Sequence, residues 1–110
     1  MTTIDKIAQQ NIYIAPSSIH GKGVFARRNL RSNQIIGTGI RFIYGFIPKI
    51  CDGLGTTINH SYQPNCYLSY EPRYSVYHIR SHRTIFCHEE LTLDYRKTPW
   101  YIKGPEPHFT

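Results

Sequence analysis

The stretch Ile58-Asn59-His60-Ser61-Tyr62-Gln63-Pro64-Asn65-Cys66 decides how the chain is read. Asn59, His60 and Ser61 place three hydrogen-bonding side chains in a row, and Pro64-Asn65 closes a turn behind them. The plain interpretation is an Asx-type turn, whose short polar side chains satisfy nearby backbone groups. The chemical interpretation is a polar clamp for a heterocycle. Asn59-His60-Ser61 also matches the N-x-S glycosylation acceptor. The N-terminus, MTTIDKIAQQ, lacks a basic start followed by an apolar run, so that match is expected to be fortuitous.

Around this stretch the composition sets bounds. The chain has 110 residues and a mass of 12.8 kDa. That length allows one small core. Its 15 Ile, 9 Tyr and 5 Phe stand against 3 Ala, which favours pleated strands over a helical bundle. Thirteen Lys+Arg against seven Asp+Glu give a net charge of +6, suited to a polyanion. Three cysteines without a C-x-x-C make a poor disulfide framework and a poor zinc ribbon, so reduced thiols and no metal are expected. The most apolar window, residues 42–47, is too short to span a bilayer. A soluble intracellular protein with no membrane partner is expected.

Strands are predicted at 11–15, from 24, from 35, and at 67–70, 76–80 and 91–95. Residues 37–58 show no clear period. The chain divides into an N-terminal segment (1–11, a short helix or frayed tail), a core (12–95) and a C-terminal tail (96–110).

Several motifs fail on their own. Gly21-Lys22-Gly23-Val24-Phe25-Ala26 matches the dinucleotide fingerprint G-x-G-x-x-A. The next residues, Arg27 to Asn33, have no apolar helical period, and Arg41-Phe42-Ile43 stand where an acidic residue belongs. A hairpin-like turn with positive-φ glycines, or a loop whose bare backbone approaches a ligand, remains. Glu89 and Glu90 are adjacent and point to opposite faces of a strand, so they are no glycosidase pair. His78 and His82 with Cys66 and Cys87 fit no familiar zinc spacing.

Order and spacing change the picture. Ile19 to Ala26, Ile58 to Cys66, and Glu90-Leu91-Thr92-Leu93-Asp94-Tyr95 together resemble the SET domain of protein-lysine methyltransferases, in family order. The resemblance covers roughly residues 11–95. It implies a mainly β fold of short curved sheets with few short helices. It also implies a C-terminal pseudoknot that carries Asn59-His60 to Tyr95. The implied cofactor is S-adenosylmethionine. His20, Gly21, Lys22 and Gly23 would wrap its amino-acid part, Asn59 and His60 would hold its adenine and methionine ends, and Tyr95 matches the catalytic tyrosine. Trp100 is a candidate to stack on adenine or to close the lysine channel. Tyr62 and Leu93 are further channel candidates, with Tyr67, Tyr70 and Tyr77 as weaker ones. Leu93 offers no hydroxyl to hold a space-filling water, so the resemblance implies transfer of more than one methyl.

Two features depart from the family. The insert between Ile36 and Asn59 is short, and no cysteine follows Cys87. The short insert leaves peptide recognition to be completed by a partner, by a second copy (a homodimer), or not at all. The expected substrate is an exposed protein lysine such as one on a histone tail. That would place the chain in the nucleus or on chromatin, and the positive charge fits nucleosomal DNA beside such a tail. The alternative is a weakly active or inactive SET-like module that binds chromatin, protein or nucleic acid.

Overall fold

The computed structural model describes residues 3–44, 46–51 and 53–97. Eight strands form two four-stranded sheets. The first contains β1 (Ile12–Pro16), β2 (Lys22–Ala26), β8 (Glu90–Leu93) and β5 (Asn59–His60), in the order β1-β2-β8-β5. The second contains β3 (Ile35–Ile43), β4 (Ile47–Ile50), β6 (Cys66–Glu71) and β7 (Val76–Ser81), in the order β4-β3-β7-β6. Every pairing is antiparallel except β5 with β8. The mainly β expectation holds.

The region 37–58, without a clear period, takes in most of β3, then β4, then α2 (Leu54–Thr57). Its missing period has a physical cause. Residues 36–40 of β3 are all buried, and the strand slips register against β7 at two places. A strand covered on both faces and bulged carries no two-residue alternation. The N-terminal segment is helix α1 (Thr3–Asn11), which packs on β3 at Gly37. A Cβ on Gly37 would lie 2.6 Å from Ala8 Cβ. The core joins Val24, Leu91 and Leu93 of the first sheet to Ile36 and Ile79 of the second. The Leu30–Ile85 bridge ties the two intervening loops together.

One strand boundary needs correction. The strand read as 91–95 ends at Leu93, and Tyr95–Lys97 form a 3-10 turn. Asp94 causes the break: its Oδ1 accepts the Arg96 N–H at 3.0 Å, an Asx turn that bends the chain out of the ladder.

Candidate functional site

The site is assembled by the short parallel pairing of β5 and β8, which sets Asn59 opposite Thr92 and His60 opposite Leu93. The Ser61 N–H continues the ladder to Leu93 O at 2.9 Å. The Tyr95 N–H donates to His60 Nδ1 at 3.0 Å, and the Tyr95 hydroxyl donates to Ile58 O at 2.6 Å. Three bonds therefore dock Tyr95 and the end of β8 on a segment about 35 residues earlier. The His60 and Tyr95 rings lie 5.1 Å apart.

Asn59 is buried, and its Nδ2 is ringed by oxygens: Glu90 Oε2 at 2.9 Å, His20 O at 3.1 Å, Lys22 O at 3.2 Å and Ser17 Oγ at 3.2 Å. Ser17 Oγ in turn donates to both Glu90 carboxylate oxygens at 2.8 Å. Asn59 thus joins the 17–22 loop to β8. Sequence reasoning passed over Ser17 and Glu90. Face alternation separated Glu90 from Glu89 correctly, and Glu89 pairs with Arg83 instead. Nothing in the local pattern said what the inward carboxylate would meet.

The two glycines of the loop do different things. Gly21 has φ +47, and a Cβ there would meet nothing within 4 Å, so the loop is open at that point. Gly23 has ordinary strand φ, contrary to the expectation of a positive φ at both. A Cβ on it would collide with the Glu90 carboxylate and lie 3.0 Å from Ser17 Cβ. Its missing side chain makes room for Glu90 of this chain. His20 and Lys22 are exposed.

His60 is fully buried, and burial pulls its imidazole below the ordinary 6.5. Because Nδ1 accepts the Tyr95 N–H, the neutral ring carries its proton on Nε2. Burial pushes the Tyr95 phenol above its ordinary 10, so it is un-ionised at neutral pH. Arg96 grips the Asp94 carboxylate with two nitrogens, Nε to Oδ1 at 2.9 Å and Nη2 to Oδ2 at 2.6 Å. That pairing draws Asp94 down to about 2 from 3.8. The Arg96 guanidinium also lies 4.3 Å from the centre of the Tyr62 ring, which stands nearly perpendicular to the His60 ring with centroids 4.4 Å apart. Arg96 escaped the sequence reading, although an Asp two residues before an Arg at a strand end was a usable signal.

Tyr62, Leu93, Asp94, Tyr67, Asn33 and Arg83 are among the residues that line a cleft of about 890 Å³. The channel candidates Tyr62 and Leu93 therefore meet there. Tyr70 and Tyr77 do not; they cluster with Phe42 on the second sheet. Trp100 lies outside the described residues. Among the described residues no group of three or more His, Cys, Asp or Glu stands close enough to hold a metal ion. Buried Cys66 has its thiol pushed up to about 12.

This fold, with its docking of β5 against β8, is the mainly β architecture that the resemblance to SET domains implied. Residues 46–96 match the SET domain family model. The fold is similar to the crystal structure of a candidate histone methyltransferase from Plasmodium falciparum, with a TM-score of 0.65 and 24% identity. That match covers 84% of this chain and 98% of the other. No curated protein shows significant sequence similarity to the chain. Residues 46–96 thus match the SET domain family, and the chain shares the fold of that structure.

Proposed function

We propose that the chain is a protein-lysine N-methyltransferase using S-adenosylmethionine. The observation that carries this reading is the docking of Tyr95 against Ile58 and His60, beside the cleft lined by Tyr62 and Leu93.

The residues fit the cofactor. The oxygens gathered at Asn59 suit an ammonium, Gly21 leaves open space beside them, and the His60 and Tyr95 rings suit a sulfonium. His20, Gly21, Lys22, Asn59 and His60 would hold it. When bound, S-adenosylmethionine supplies an electrophilic methyl group. The chain supplies orientation and desolvation. Tyr95 spends its proton on Ile58 O, which leaves the oxygen lone pairs to accept from a lysine amine. A neutral, donating phenol is no general base. The substrate amine must therefore lose its proton through desolvation in the cleft, which lowers a lysine below its ordinary value near 10.4. Aligning the amine is a proximity effect worth several kcal/mol. A histone tail is the proposed substrate, consistent with the Plasmodium relative. Chromatin would then be its location. Among the described residues no helix is long and apolar enough to cross a membrane.

The second reading is a binding module without transfer. The full engagement of Asn59 Nδ2 by this chain's own oxygens favours it. The short insert, built as the β3–β4 hairpin, exposes Tyr44, Phe46 and Ile47, which supports completion of the peptide surface by another chain. Incubation with labelled S-adenosylmethionine and histones separates the readings. The enzyme reading expects label with wild type and none with Tyr95→Phe. Equal label in both, or none in either, contradicts it.

A further inference from the structure

The turn after β2 carries three arginines in five residues, Arg27-Arg28-Asn29-Leu30-Arg31. Arg28, Asn29, Arg31, Ser32 and Gln34 line a depression of about 440 Å³. Each of these side chains can donate a hydrogen bond, and among the described residues no carboxylate lines the depression. Backbone donors orient both amides. Asn29 Oδ1 accepts the Cys87 N–H at 2.8 Å, and Gln34 Oε1 accepts the Arg31 N–H at 2.9 Å. Each amide oxygen is thus spent, and each NH2 group is left as a donor. Arg28 is preset: its Nε and Nη2 grip Asn11 Oδ1 at 3.0 and 2.7 Å. Asn11 is fully buried, and its Nδ2 is fixed on Ile36 O at 3.0 Å.

Such a lining is complementary to an acceptor-rich anion. The charge also extends past the depression, because Arg80 Nη1 binds Asn33 O in the same turn at 2.9 Å. Four acidic side chains are engaged elsewhere: Glu71 by Arg73, Glu89 by Arg83, Asp94 by Arg96, and Glu90 by Ser17 and Asn59.

We propose that this depression is a phosphate site whose occupant is the phosphodiester backbone of nucleic acid. Arginines spread along a face match a polyanion better than a single phosphate. The same turn reaches the main cleft through Asn33, so a bound duplex would run beside the cleft mouth. The inference does not rest on methyl transfer, and binding alone reads it.

The test is anisotropy of a short labelled DNA duplex titrated with the full chain across a salt series. The variant is Arg31→Gln/Ser32→Asp. Neither side chain hydrogen-bonds another described residue, and an unchanged melting temperature verifies folding. Lys49→Gln/Arg73→Gln is the charge-matched control. We expect the variant to lose about tenfold in affinity near 0.1 M salt and its salt slope to fall by about 2, with the control within about threefold of wild type. The proposal is overturned by any of three results: no duplex binding by wild type, equal losses in variant and control, or tighter binding of inorganic phosphate or a phosphoserine peptide than of the duplex.

Discussion

Asn59 shows how much one side chain organises here. Asn59→Ala would leave the Glu90 carboxylate, Ser17 and two loop carbonyls without their shared donor. The expected loss is about 1–3 kcal/mol, read by denaturant melts. Gly23→Ala drives a methyl into the Glu90 carboxylate and should destabilise by about 1–3 kcal/mol. Gly21→Ala meets no clash and should lose about 1–2 kcal/mol from its left-handed backbone alone. Leu93, at the cleft, offers no hydroxyl to hold a space-filling water, so in the proposed reaction it would leave room for more than one methyl. Wild type is expected to give di- or trimethyl-lysine by mass spectrometry at long reaction times; monomethyl product alone contradicts this. Single residues were the most legible level of the sequence. Asn59, His60 and Tyr95 stand in a recognisable order, and the structure docks them together. Ser17, Glu90 and Arg96 were not, because each acts through a partner distant in sequence or across a turn.

The pairing of β5 with β8 is the element that makes the site, and it is pH-sensitive by construction. His60 must be neutral to accept the Tyr95 N–H. Its folded value lies below 6.5, so the folded state binds fewer protons than the unfolded state. The resulting stability is complete above 6.5 and is lost as pH falls from there. Asp94 adds a second, lower step: its contribution is complete above 3.8 and disappears as pH falls toward about 2. Melting temperatures should therefore drop first as pH falls below about 6.5 and again below about pH 4. Arg96→Gln should lower stability at neutral pH and flatten the lower step. A flat profile from about pH 7 to 5 contradicts the His60 assignment. The pairing itself could not be read locally. Parallel partners some thirty residues apart leave no turn signal between them, and β5 is only two residues long.

The whole molecule is small, and its charge is unevenly committed. The composition foretold a β-rich, basic domain. It did not foretell that four of the carboxylates would be spent on internal bonds while Arg28 and Arg31 line a depression free of them. The same division holds for the thiols. Cys87 is exposed and Cys66 is buried with its thiol pushed up to about 12. A thiol reagent should modify Cys87 promptly and Cys66 only on unfolding, read by mass spectrometry of digests.

The proposed function requires that the β5–β8 pairing build a pocket for S-adenosylmethionine. Titration of the folded chain with the cofactor, followed by amide chemical shifts, tests it most directly. The account predicts saturable shifts at Gly21, Lys22, His60 and Tyr95, with Thr38 and Ile79 on the second sheet unmoved. No shifts at saturating cofactor, or shifts confined to the Arg28–Gln34 turn, would contradict it.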